Sequence, residues 1–155
     1  MKSTLPFNGQ LLCDELMSKH TSWRVGGKAD NYYIPVDLND LQNYLQSIPN
    51  NADINWVGLG SNMLVRDGGI RGYVISTVNA LREITLCDGG FVYAQAGVSC
   101  SSLAKLCLKN GSTGSDFLAG IAVTVVGALG LNACAVGRYI MSFATLAQMT
   151  HRHGL

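Results

Sequence analysis

Ile54-Asn55-Trp56-Val57-Gly58-Leu59-Gly60-Ser61-Asn62-Met63-Leu64-Val65 is the stretch on which the reading of the fold turns. The apolar run from Ile54 to Gly58 reads as a strand, a glycine-bearing loop interrupts it, and Met63 to Val65 reads as a second apolar strand segment. Backbone N–H groups in such a Gly-x-Gly turn form a concave nest for an anion such as a diphosphate, and Ser61 and Asn62 add side-chain donors. No Gly-Lys-Ser/Thr follows, which excludes a Walker loop. A strand rather than a helix is expected next, which excludes the dinucleotide fingerprint of a Rossmann fold. Taken alone the motif is also an ordinary turn, so its neighbours must decide.

Working outward, Asn31 to Pro35 reads as a strand, and Asp37 precedes Leu38, Leu41, Leu45 and Ile48, an apolar stripe at helical spacing. Gly72 to Thr77 is a third strand. Glu83 to Cys87 and Phe91 to Ala96 flank Asp88-Gly89-Gly90, the turn chemistry of a β-hairpin. Ser99 caps a helix with Leu103, Leu106 and Cys107 on one face, and Asn110-Gly111 stops it. Strands and helices in this order give an α+β protein. No internal repeat, low-complexity tract or linker divides it.

The 155 residues are enough for one domain, and a hydrophobic content of 48% makes that domain folded. A net charge of +1 gives no electrostatic reason to expect nucleic acid as a partner. Cys13, Cys87, Cys100, Cys107 and Cys134 are odd in number and contain no Cys-x-x-Cys, so free thiols in a reducing cytoplasm are expected. Met1 to Gln10 lacks the apolar run of a secretory signal. Residues 117–137 carry no charge and are long enough to cross a bilayer as one helix, so a small membrane-associated protein is an alternative reading. Gly120, Gly127, Gly130 and Asn132 interrupt that run and favour a loop followed by a buried helix, with no membrane. His151 and His153 alternate without a third ligand, so no metal site is expected. Cys100 and Cys107 read as core thiols, Trp23 as a packing aromatic, and Arg66 with Asp67 as a solvated pair.

Three segments then combine: Thr21 to Ala29, containing Arg24-Val25-Gly26-Gly27; the Gly58 to Asn62 loop; and Phe117 to Ala133, with Val65 to Gly72 between the last two. Together they resemble the bacterial UDP-N-acetylenolpyruvoylglucosamine reductase family from about Leu11 onward. The resemblance implies an FAD-binding domain of the p-cresol methylhydroxylase (PCMH) type, built from two small α+β subdomains with the flavin between them. Residues 1–20 are expected to be an N-terminal extension and 21–155 a domain incomplete at its C-terminus. It implies that Gly58, Gly60, Ser61 and Asn62 hold the FAD pyrophosphate, with Met63 and Leu64 continuing along the cofactor. Arg24, Val25, Gly26 and Gly27 are expected close to it, where glycine lets the backbone approach. Ala119, Gly120, Ile121, Thr124, Gly127, Ala128 and Asn132 occupy matching positions near the flavin and adenine portions. The family's reaction is NADPH-dependent, flavin-mediated reduction of an enolpyruvyl UDP-sugar to UDP-N-acetylmuramate for peptidoglycan.

Two departures shape the expectation. The family's glycine-rich third stretch here has Ala122 for proline, Val123 and Val126 for two glycines, and Cys134 for another. Valine adopts positive φ only at a cost and adds bulk, so these changes are expected to lower FAD affinity. The family's Tyr-Arg segment, proton-donating serine and C-terminal carboxylate are expected beyond Leu155, so no catalytic residue is assigned. A non-catalytic remnant with weak or no FAD binding is the alternative.

Overall fold

The computed structural model describes residues 7–150. Its main sheet has the order β1 (Gln10–Leu16), β2 (Lys28–Ile34), β4 (Ile70–Ser76), β3 (Ile54–Val57). β1 pairs antiparallel with β2, while β4 lies parallel to both β2 and β3. The sequence reading placed no strand in the first 20 residues; β1 pairs from Gln10↔Ile34 to Leu16↔Lys28. It escaped notice because Cys13, Asp14 and Glu15 break the alternation of an edge strand, and Asp14 has a φ of 53°.

Period-two alternation in β2 and β4 divides the apolar side chains between the two sheet faces. Tyr33 and Ile75 face α1 (Leu38–Ser47), where Leu41, Tyr44 and Leu45 pack with Ile48 and Leu81. Tyr32 and Val74 point the other way, into a cluster with Met17, Ala29, Val57 and Val65. Each large apolar side chain so buried contributes about 1.5–3 kcal/mol. α1 begins as the sequence predicts: the Asp37 carboxylate accepts the Asp40 N–H at 2.8 Å.

The anticipated hairpin is β5 (Ile84–Leu86) and β6 (Val92–Ala94), with Gly89 and Gly90 both at positive φ in the turn. α2 (Cys100–Lys109) follows, its Ser99 cap accepting the Ser102 N–H at 3.1 Å, and Gly111 ends it at a φ of +70°. Residues 117–137 divide into a 3-10 turn (Asp116–Gly120), the six-residue α3 (Val125–Gly130) and β7 (Cys134–Ala135), which pairs with β8 (Arg138–Tyr139). Among the described residues no helix is long and apolar enough to cross a membrane. These pieces enclose a second core of Cys100, Ala104, Phe117, Leu118, Ile121, Ala128 and Ile140. Burial there pushes the Cys100 thiol up to about 11, as expected of a core cysteine.

Candidate functional site: a groove at the ends of the parallel strands

β3 and β4 run side by side, and the chain leaving β3 is the Gly58–Asn62 loop. The open ends of parallel strands are where such sheets collect ligands. Here a groove of about 450 Å³ is lined by Lys19, His20, Thr21, Ser22 and Arg24 on one side and Gly58 and Leu59 on another. Tyr32, Ser76, Val78 and Asn79 complete it.

Backbone contacts weld the sequence-predicted segments together. The Ser22 N–H donates to the Gly60 carbonyl at 3.0 Å, and the Gly27 N–H donates to the Arg66 carbonyl at 3.0 Å. The Ser61 hydroxyl donates to the Ala122 carbonyl at 2.7 Å, tying the glycine loop to the third stretch. That stretch is fixed in turn by Val125 N–H to Val98 O at 2.7 Å and Cys100 N–H to Val123 O at 3.0 Å. Thr124, fully buried, caps α3 by accepting the Gly127 N–H at 3.3 Å.

The glycines also make room for the protein's own chain. A Cβ on Gly60 would stand 1.8 Å from the His20 carbonyl oxygen, and on Gly27 2.0 Å from that of Asp67. One on Gly58 would stand 2.9 Å from Thr124 Oγ1. What approaches these three positions is the protein's own chain, so the missing side chains let the segments dock on one another. Gly60 also has a φ of +67° and Gly26 one of +131°. Arg24 has a φ of 53°, an uncommon conformation for a side-chain-bearing residue, stabilised by its N–H bond to Thr21 O at 3.0 Å.

Of the other predicted site residues, Ile121 and Ala128 are buried in the second core, and Ala119 lines a separate cavity beside Ala104 and Lys105. Gly120, Asn132, Val25 and Leu64 are exposed, while Met63 packs under the sheet. Met63 to Val65 is irregular chain, not the strand its apolar sequence predicts, because Val65 turns in to cover the sheet face. Trp23 is 71% exposed, so the packing reading does not hold: its loop turns outward at Arg24. Arg66 and Asp67 contribute their carbonyls to the loop, and no ion pair joins their side chains. Val123 and Val126 are absent from the positive-φ positions, and Val126 is the second residue of α3 with its side chain half exposed. The backbone strain expected of the two valines is therefore not present; their remaining effect is bulk.

Sequence reasoning missed Lys19, His20, Tyr32, Ser76 and Asn79. The basic pair directly before Thr21 was the available signal. Lys19 and Arg24 give the groove positive charge, and the N–H groups of Leu59, Gly60, Ser61 and Asn62 donate to no protein acceptor among the described residues. Free loop donors beside Arg24, and beside Lys19, whose ammonium pairs with the Glu15 carboxylate at 3.3 Å, suit an anion. Residues 29–150 match the FAD binding domain family.

The chain belongs to the FAD binding domain family.

Within the family it is similar to UDP-N-acetylenolpyruvoylglucosamine reductases. That of Coxiella burnetii (strain Dugway 5J108-111) is 44% identical over 148 residues, 83% of this chain and 47% of the relative. That of Methylococcus capsulatus is 43% identical over 153 residues, 99% of this chain and 50% of the relative. That of Nitrosococcus oceani is 45% identical over 147 residues, covering 95% and 49%. The chain thus spans about half the length of the curated relatives it matches. The crystal structure of UDP-N-acetylenolpyruvylglucosamine reductase (MurB) from Thermus caldophilus shares the fold, with a TM-score of 0.62 and 24% identity over 86% of this chain and 45% of that one. The mixed sheet with few helices is the PCMH-type architecture.

Proposed function

We propose that this chain supplies the FAD-binding portion of a UDP-N-acetylenolpyruvoylglucosamine reductase, with the FAD diphosphate in the groove between Lys19–Arg24 and Gly58–Asn62. The observations that carry the reading are the loop N–H groups from Leu59 to Asn62, which have no protein acceptor among the described residues, and the adjoining groove, whose lining includes Lys19, Arg24, Gly58 and Leu59. The proposed FAD-binding unit starts with β1, since β1 completes the sheet edge beside β2.

The residues present fit the group. Gly60 and Gly58 keep the loop tight against His20 and Thr124, which fixes its N–H groups before a ligand arrives, and preorganised donors bind an anion more strongly than mobile ones. Lys19 and Arg24 neutralise diphosphate charge. FAD, when bound, would carry hydride from NADPH to the enolpyruvyl double bond of a UDP-sugar. The part of this chain is to bind and orient; Arg24, Gly58, Gly60, Ser61 and Asn62 are the residues proposed for it, with Thr124 positioning Gly58. No residue among 7–150 is assigned to the reduction itself.

Titration of the full chain with FAD, followed by flavin fluorescence, tests the proposal. Saturable binding with a Kd in the micromolar range, about 8 kcal/mol, is expected. A folded chain that leaves flavin fluorescence unchanged would overturn it, and a non-binding remnant would become the reading.

A further inference from the structure

The basic wall of the groove includes one imidazole. His20 lies in the loop after β1; its ring stacks on Tyr32 with centroids 4.1 Å apart, and its carbonyl occupies the space opposite Gly60. Its Nε2 lies 3.0 Å from Glu15 Oε1. The hydrogen bond from His20 is the main influence holding the Glu15 carboxyl below its ordinary value; burial opposes it and Lys19 assists. Glu15 is therefore an ionised acceptor at neutral pH, and the nitrogen facing it must carry a proton.

That fixes the tautomer. A neutral imidazole whose Nε2 bears the proton has only a lone pair on Nδ1, and Nδ1 has no partner among the described residues. A phosphate oxygen is repelled by that lone pair. It is attracted by the N–H that replaces it when the ring is protonated, while Glu15 stabilises the resulting cation. The charged and titratable groups around the ring are Glu15 on β1, its neighbour Lys19, Arg24 in the following loop, and Tyr32 on β2. Burial raises Tyr32, so it stays neutral. Thr21, Ser22, Gly58, Leu59, Ser76, Val78 and Asn79, the rest of the lining, bring no group that titrates near neutral pH.

We propose that His20 is a diphosphate-binding residue that engages its ligand only as the imidazolium, with Glu15 holding Nε2 and leaving Nδ1–H for the anion. The proposal rests on the groove being a diphosphate site, as argued above. The diphosphates of FAD and of a nucleoside-diphosphate sugar share this chemistry. Engagement of His20 takes up one proton, so binding is tighter in acid than in base, and above neutrality it levels off at what Arg24 and the loop N–H groups supply without His20.

The test follows the His20 imidazole resonances of the full chain between pH 5 and 9, with and without inorganic pyrophosphate, and repeats the pH series for FAD and UDP binding. Pyrophosphate is expected to move the His20 titration to higher pH, and His20→Gln to flatten the pH dependence of binding. Glu15→Gln should shift that dependence to lower pH. If FAD follows this profile, the diphosphate is the cofactor's. If UDP follows it while FAD does not bind, the role of His20 stands and the placement of FAD in the groove fails. An unchanged His20 titration in saturating pyrophosphate, or a His20→Gln chain with the wild-type pH profile, would overturn the proposal even where FAD binds.

Discussion

The His20 carbonyl oxygen occupies the space that a side chain on Gly60 would fill, at 1.8 Å from where its Cβ would stand. One carbonyl and one missing methyl thus join the loop after β1 to the loop after β3, and the groove lies between them. Gly60→Ala must either push the His20 backbone away or leave a φ of +67°, and the two together cost about 2–5 kcal/mol. Urea denaturation should show that loss, and FAD binding should weaken with it. A Gly60→Ala chain of wild-type stability would mean that the loops do not touch.

Thr124 serves two neighbours through one hydroxyl: it accepts the Gly127 N–H and lies against Gly58. Thr124→Ala removes the cap of α3 and is expected to lower stability by about 1–2 kcal/mol. Thr124→Ser keeps the hydroxyl and should recover most of it. Equal losses in both variants would assign the effect to the methyl group instead.

Asp40 is buried, and burial, the largest single influence, raises its carboxyl. The Tyr33 hydroxyl at 2.6 Å and the N–H groups of Asn8 and Val36 outweigh that and hold it below its ordinary value. A carboxyl depressed in the folded state contributes stability that is full above its unfolded value, about 3.9, and is lost as pH falls through the folded value. Asp40→Asn is expected to cost about 1.5–3 kcal/mol at pH 7 and to reduce the loss of stability on acidification. Denaturation midpoints at pH 7 and pH 3 measure both; a parallel acid loss in the variant would show that other carboxylates carry it.

β7 and β8 are joined by Val136-Gly137, both at positive φ, between the paired residues Ala135 and Arg138. A two-residue hairpin turn of this kind favours Asn-Gly, and a β-branched residue is strained there. Val136 is 91% exposed and gains nothing from packing. Val136→Asn is therefore expected to stabilise the chain by about 1 kcal/mol, read as a rise in Tm. A fall in Tm would mean that the valine is covered in the working protein.

Local chemistry was legible in the sequence wherever a residue acts on its own neighbours. Asp37 and Ser99 cap the two longer helices, Asp88-Gly89-Gly90 turns the β5–β6 hairpin, and the ordered glycine segments marked the family. These depend on backbone groups within a few residues, so the sequence alone determines them. What only the tertiary structure decided concerns partners far apart in the chain. β1 became a strand because β2 offers it a free edge, and Met63–Val65 did not because Val65 is needed to cover the sheet. Gly58 and Gly60 are required by Thr124 and His20, residues 66 and 40 positions away, and His20 joins the groove only because folding brings it beside Glu15, Tyr32 and the loop after β3. Steric exclusion and hydrogen-bond pairing act through space, and no pattern along the chain specifies which distant atom will fill a given gap.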